Sequence, residues 1–359
     1  MLSNLNKLVE LAEKAKEKGG VKLYKKNIEM VLSGLLVTGN FWSIVDYADL
    51  PVPAAAGIVN TLLEEGYAFI DENQDIRLTQ KGFDLIKEYN IHPRKEYRCQ
   101  ACEGRGIPFY LDIELYRTFL QETKNRPKAI QDYDQGSVTP ETTISRVLFI
   151  DSRGDLQGKD IVVMGAEDDL TGLAIALSRK ANSVTIIDID KRSIDFDNEI
   201  FERLGIKNAK AFVWDLRKPL PEDMLGKFDV FITDPPETIA AFSAFIKRGI
   251  SLLKDEGAVG YFGLTLRDSS IYRWREFQKI LTGEIGVAIT DIIQDFNNYI
   301  TWDYHKDTKA YQIAPVKKDP EGIWYRSAWY RIEALPGFAR WNGTISDEDL
   351  YLDEEGSTT

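Results

Sequence analysis

Apolar positions in the first quarter of the chain recur at helical spacing. Residues 3–18 form a charged helix candidate, and Ile28, Val31, Leu32 and Leu35 predict a second helix over 24–37. After Phe41-Trp42-Ser43-Ile44-Val45, Pro51 and Pro53 lead into a helix from Ala54 to Glu65, which Gly66 stops. Tyr67–Ile70 and Ile76–Leu78 predict short strands around the polar turn 71–75, and Thr79 caps a helix to Tyr89. A helix is expected over 110–124, broken by Asn125-Arg126-Pro127, and another over Ile144–Ile150. From residue 161 the pattern alternates. Ile161–Met164, Val184–Ile187, Ala209–Val213, Phe228–Ile232 and Gly257–Phe262 read as strands. Between them, 172–180, Ser193–Leu204 and Ala240–Leu253 read as helices. Such alternation implies an α/β fold with a doubly wound parallel sheet. An aromatic-rich section with Trp324, Tyr325, Trp329 and Tyr330 is expected to close the sheet.

The pattern divides the chain into four parts: an N-terminal α+β domain over 1–92, a connector over 93–145, a catalytic domain over 146–345 and an acidic tail over 346–359. Helices followed by a two-stranded wing resemble a winged helix. Yet no Lys or Arg occurs between Asn40 and Ile76, whereas Asp46, Asp49, Glu64, Glu65, Asp71, Glu72 and Asp75 do. A segment without cations cannot neutralise phosphates, so a packing or dimerisation module is favoured over DNA binding. In the connector, Cys99 and Cys102 look like half of a zinc knuckle. A structural zinc needs four ligands, so a remnant that holds no metal is favoured over a disulfide or a half-site shared between subunits.

Charge and composition narrow the ligand. The chain has 359 residues, a formal net charge of −12, two cysteines and two histidines. The negative balance disfavours nucleic acid and attracts cations. No apolar run approaches the ~20 residues that span a bilayer. Met1–Lys18 lacks a signal-peptide apolar core. A cytoplasmic protein with no membrane partner is expected.

The ends of the predicted strands carry the chemistry. In a doubly wound sheet, ligands bind outside the carboxyl ends of the strands. Four successive strands place acids there: Glu167, Asp168 and Asp169; Asp188 and Asp190; Asp215; Asp234 and Glu237. The turn after the first strand has Gly165 and Gly172 but no G-x-G-x-x-G, and three acids in it would repel a pyrophosphate. Clustered carboxylates repel one another unless a cation sits among them. The pattern implies a ligand with a nucleoside part and a cationic tail. Asp234-Pro235-Pro236 is similar to the Asp/Asn-Pro-Pro-aromatic motif of amine-directed S-adenosylmethionine-dependent methyltransferases. Here Glu237 replaces the stacking ring, which suits an aliphatic ammonium.

With these strings in view the chain resembles the N(4)-bis(aminopropyl)spermidine synthases, the branched-chain polyamine synthases of thermophiles. The resemblance covers nearly the whole chain. Its most specific parts are Asp215-Leu216-Arg217-Lys218-Pro219-Leu220-Pro221 and Asp234-Pro235-Pro236-Glu237-Thr238. Where the family carries Gly-Asp-Asp-Asp, this chain has Ala166-Glu167-Asp168-Asp169. The resemblance implies a Rossmann-like, methyltransferase-type catalytic domain in a homodimer. It implies aminopropyl transfer from decarboxylated S-adenosylmethionine, a co-substrate rather than a cofactor, to the central nitrogen of spermidine. The other product is 5′-methylthioadenosine.

On that reading Glu167, Asp168 and Asp169 attract the donor's ammonium, Asp188 holds the ribose and Asp215 accepts from the adenine amino group. Asp169 and Asp234 position the acceptor amine and take its proton, and Glu237, Asp234 and Tyr261 hold the remaining amines. Asp169→Asn is expected to abolish transfer with stability unchanged or raised. The tail, with six acids and no Lys or Arg over 346–359, is expected to be mobile and to capture polycations. The competing readings are an N-methyltransferase acting on nucleic-acid amino groups and a ligand-sensing transcriptional regulator.

Overall fold

The computed structural model describes residues 7–95, 97–345, 350–351 and 353–357. The N-terminal part consists of α1 (Lys7–Gly19), α2 (Lys25–Leu35), α3 (Phe41–Ala48), α4 (Val52–Glu64), the strands β1 (Ala68–Ile70) and β2 (Ile76–Leu78), and α5 (Gln80–Glu88). Asn40 starts α3 by accepting the Trp42 and Ser43 N–H groups. Thr79 caps α5 through the Gly82 N–H. α4 begins two residues earlier than expected, because a proline is tolerated in the first turn of a helix.

Ten of the 13 residues of α4 are buried, so it offers little surface to an outside partner. It crosses α1 where two glycines meet backbone. A Cβ on Gly57 would stand 2.6 Å from the Ala15 carbonyl oxygen, and one on Gly19 would stand 2.5 Å from that of Pro53. The acids that argued against DNA binding also have partners inside the molecule. Arg267 from the catalytic part is buried and meets Asp46 at 2.6 Å and Asp49 at 3.1 Å. Trp42 Nε1 donates to the Lys318 carbonyl at 2.8 Å. One apolar cluster therefore runs from α1 through Trp42 to Trp302, Trp324 and Tyr325. The N-terminal and catalytic parts share that core.

The connector contains a 3₁₀ turn, Phe109–Asp112, and α6 (Ile113–Glu122), in place of one continuous helix over 110–124. Then come α7 (Pro140–Ser152), β3 (Asp160–Met164), α8 (Thr171–Ser178), β4 (Ser183–Asp188), α9 (Lys191–Arg203), β5 (Ala209–Val213) and β6 (Val230–Thr233). The chain goes on through α10 (Ile239–Leu252), β7 (Val259–Leu264), α11 (Ile271–Lys279), β8 (Val287–Asn298), α12 (Lys309–Ile313) and β9 (Arg326–Ala334). The seven-stranded sheet has the order β5-β4-β3-β6-β7-β9-β8. Its first five strands are parallel, and β9 runs antiparallel between β7 and β8. Trp329 and Tyr330 lie in β9 as expected; Trp324 and Tyr325 precede it. Strand order reverses between β3 and β6, which opens a crevice at their carboxyl ends.

Candidate active site

The crevice has two joined chambers. The inner one, ≈ 110 Å³, is lined by Asp134, Asp168, Asp188, Asp234 and Glu237 and by aromatic rings. The outer one, ≈ 310 Å³, has Trp214, Asp215, Leu216 and Leu350 in its walls. Gly165, Ile189 and Tyr351 line both. Gly165 has φ +56°, and a Cβ there would stand 2.5 Å from the Phe245 ring, so the turn after β3 requires glycine.

Asp168 points into the inner chamber and accepts the Gly136 N–H at 2.8 Å. Ser137 Oγ donates to the Asp168 carbonyl at 2.9 Å. The 134–139 segment thus folds over the acidic loop. Burial, then the nearby Asp169, Asp188 and Asp234, pushes the Asp168 carboxyl well above its ordinary range. Asp188, at the tip of β4, accepts the Asp190 N–H at 2.8 Å, and burial pushes it up to about 6. Glu237 accepts the Thr265 N–H at 3.0 Å. It is pushed well above its ordinary range by burial first, then by Asp268, Asp234 and Asp134. A pocket whose carboxyls are lifted by burial and by one another is stabilised when a cation enters.

Asp234 is held at the junction. Its Oδ2 accepts from Arg146 at 2.8 Å and from the Tyr299 hydroxyl at 2.7 Å. Its Oδ1 lies where a Cβ on residue 263 would come within 2.0 Å, so Gly263 gives it room. Arg146 itself is fully buried in α7. It donates to Asp169 at 2.6 Å, to Asn297 at 2.8 Å and to Thr171 at 3.2 Å, and its guanidinium lies 4.6 Å from the Trp329 ring. Burial opposes its charge, but Asp169 and Asp234 hold its pKa above the ordinary value.

Three expected site residues do not line either chamber. Glu167 is buried and turns back to accept the Gly172 and Leu173 N–H groups at 3.2 and 3.1 Å. The residue preceding α8, Leu170, supplies no side-chain cap, so Glu167 satisfies the first N–H groups of that helix. Asp169 is buried against Arg146 and the Val138 N–H, with burial pushing its carboxyl up to about 7 against the pull of Arg146. Tyr261 sits in the middle of β7, in the core, and donates to Asp155 at 2.5 Å. Asp215 lines the outer chamber but is chelated by its neighbour Arg217 at 2.9 Å, whose guanidinium lowers its pKa.

The structure adds residues to which the sequence pattern gave no part in the site. Asp134, Tyr133, Tyr299, Trp302, Tyr304 and Tyr325 face the inner chamber with the acids. The tail also departs from expectation: its described residues are docked. Leu350 and Glu355 are buried, Thr238 Oγ1 donates to the Leu350 carbonyl at 2.7 Å, and Asp353 pairs with Arg273 at 2.8 Å. Three of the tail's six acids, Asp347, Glu348 and Asp349, lie outside the described residues, as do Ser346, Leu352, Thr358 and Thr359. Cys99 and Cys102 are free thiols, exposed and buried respectively. Among the described residues, no cluster of three or more His, Cys, Asp or Glu is suited to a metal ion.

Comparison with known proteins gives a consistent set of matches. Residues 114–358 match the family model described as the branched-chain polyamine synthase A C-terminal domain. The N(4)-bis(aminopropyl)spermidine synthase of Methanocaldococcus jannaschii is 46% identical over 97% of this chain and 99% of its own length. That of Thermococcus kodakarensis is 44% identical over 98% and 99%. The crystal structure of the branched-chain polyamine synthase from Thermus thermophilus, in complex with N4-aminopropylspermidine and 5′-methylthioadenosine, superposes with a TM-score of 0.90 at 36% identity. The superposition covers 99% of this chain and 100% of that one.

Proposed function

We infer the function from one premise: the chain belongs to the branched-chain polyamine synthase family. It is an aminopropyltransferase. It moves aminopropyl groups from decarboxylated S-adenosylmethionine to the central nitrogen of spermidine, giving N4-aminopropylspermidine and N(4)-bis(aminopropyl)spermidine and releasing 5′-methylthioadenosine. One observation carries the reading beyond family membership: a chamber walled by five carboxyls and by aromatic rings at the carboxyl ends of β3, β4 and β6. Carboxylates and ring faces are the two side-chain surfaces that hold ammonium and sulfonium groups.

The residue roles follow from this geometry as proposals. The base occupies the outer chamber, with Asp215 and Trp214, and the ribose lies where the chambers join at Gly165 and Ile189, within reach of Asp188 on the inner side. The sulfonium and the aminopropyl arm point into the inner chamber toward Asp168. A donor that still carried its carboxylate would meet repulsion there, so the acids select the decarboxylated form. Spermidine lies among Asp134, Glu237 and the tyrosines. Its central nitrogen loses a proton to Asp234 before attack. The nitrogen lone pair then forms the N–C bond while the C–S pair goes to sulfur, leaving a neutral thioether. The second transfer starts from a tertiary amine and ends at a quaternary ammonium.

Arg146 fixes the Asp234 carboxylate, and Asp169 fixes Arg146. Asp169 is therefore a positioning residue, and Glu167 and Tyr261 act within the framework. Alignment of nitrogen, carbon and sulfur supplies most of the rate. No described helix is long and apolar enough to cross a membrane; the cytoplasmic location and the homodimer remain part of this proposal, and light scattering tests the latter. Calorimetry with decarboxylated and ordinary S-adenosylmethionine tests the donor site. The decarboxylated form should bind at least tenfold tighter; equal affinities would contradict the charge argument.

A further inference from the structure

Arg248 is a buried cation to which the proposed reaction gives no work. It projects from α10 with no exposed surface, one helical turn after Phe245, whose ring lines both chambers. Its hydrogen bonds go to oxygens that carry no charge. It donates to the Leu216 carbonyl at 3.0 Å, to Asn342 Oδ1 at 2.9 Å, to the Gly343 carbonyl at 2.5 Å and, at longer reach, to the Arg217 carbonyl at 3.4 Å. The Trp341 ring lies 4.8 Å from the guanidinium. Burial lowers its pKa to about 10, so it stays charged at neutral pH. A buried charge is costly unless its hydrogen bonds are made. A fork of five N–H donors meets that cost only where several oxygens are set around it.

Those oxygens belong to two separate segments of the outer chamber. Leu216 and Arg217 follow β5 and line it beside Trp214 and Asp215. Asn342 and Gly343 follow β9 and lead to Ile345, Leu350 and Tyr351, which line the same chamber. The segments are also tied to each other. The Leu220 N–H donates to Asn342 Oδ1 at 2.7 Å, Asn342 Nδ2 donates to the Leu220 carbonyl at 3.0 Å, and the Ile345 N–H donates to the Arg217 carbonyl at 2.9 Å.

We propose that Arg248 is a positioning residue for the base of the aminopropyl donor: one guanidinium gathers both segments and so fixes the outer chamber and the place of Asp215 in it. Arg217 chelates the Asp215 carboxylate, and Arg248 holds the carbonyls of Leu216 and Arg217, so the acid that meets the base moves with Arg248. This role rests on the base standing in the outer chamber, as assigned above. A lysine keeps the charge, but its single ammonium cannot reach oxygens on both segments in the same way.

The test compares calorimetric binding of 5′-methylthioadenosine and 5′-methylthioinosine, which has an oxygen in place of the adenine amino group, and measures donor and spermidine KM. The wild type should prefer methylthioadenosine, because Asp215 accepts from the amino group. The variants are Arg248→Lys and Asn342→Ala. The second removes one acceptor of the guanidinium and both ties to Leu220 at a half-buried position, so it carries the test should the first fail to fold. Each should weaken methylthioadenosine binding and raise donor KM about tenfold. Each should also shrink the preference over methylthioinosine and change spermidine KM little. A merely structural arginine would lower thermal stability and leave that preference intact. An undiminished preference in either folded variant, or donor and spermidine KM that rise together, overturns the inference alone. A wild type that binds both nucleosides equally overturns the contact of Asp215 with the base, and this inference with it.

Discussion

Replacing Asp169 by asparagine separates two accounts of the acidic loop. Read from the sequence, Asp169 takes the substrate's proton, and its removal relieves repulsion from Glu167 and Asp168. In the structure Asp169 instead pairs with a fully buried arginine, at 2.6 Å, and accepts the Val138 N–H at 2.7 Å with its other oxygen. Asparagine can serve only one of those donors with its single oxygen; its amide would face the other donor-to-donor. Removing one partner of a buried pair costs about 3–5 kcal/mol. Arg146 retains Asp234 at 2.8 Å and Asn297 at 2.8 Å, so we expect a loss of about 2–4 kcal/mol. Denaturant unfolding measures it. Turnover should fall by about 10–10²-fold, because the Asp234 carboxylate is no longer held in place. Asp234→Asn should cost more, ~10²–10⁴-fold, with a smaller loss of stability. If Asp169→Asn is as stable as the wild type and inactive while Asp234→Asn still turns over, the assignment of Asp169 to a positioning role is wrong.

Burial lifts Asp169 to about 7 and Asp188 to about 6, and raises Asp168 and Glu237 as well. These folded-state values lie above the unfolded ones, so the folded protein binds more protons and its own stability falls as pH rises between about 4 and 7. Spermidine favours the ionised carboxyls, so its binding near neutral pH should release protons. Calorimetry in buffers of different ionisation enthalpy measures the release, and zero release would contradict the coupling. Tyr351 lines both chambers from a docked tail. Tyr351→Ala should therefore raise the KM of donor and acceptor by about tenfold each, whereas a tail that merely captures polycations would alter the spermidine KM alone.

The strands and helices of the catalytic part were legible because their apolar period and their glycine stops are local. The strand-end acids were legible for the same reason, since the ligand side of such a sheet is fixed by chain direction. Side-chain direction within a tight turn was not. Glu167, Asp168 and Asp169 are adjacent, yet one caps α8, one faces the crevice and one meets Arg146. Composition cannot separate them. Arg146 was hidden as a single cation in an apolar helix, with its acids 23 and 88 residues away. The aromatic wall comes from segments as far apart as Tyr133 and Tyr325, which no local pattern joins. The tail was judged on its own composition, without its partners Arg273 and Ser270, which pair with Asp353 and Glu355.

The most direct test of the account is the mass of what the enzyme makes. Incubated with decarboxylated S-adenosylmethionine and spermidine, it should yield N4-aminopropylspermidine, then N(4)-bis(aminopropyl)spermidine, with one 5′-methylthioadenosine released per transfer. Fragmentation should place both groups on the central nitrogen. Transfer to a terminal nitrogen, or a methylated product formed from ordinary S-adenosylmethionine, would contradict it.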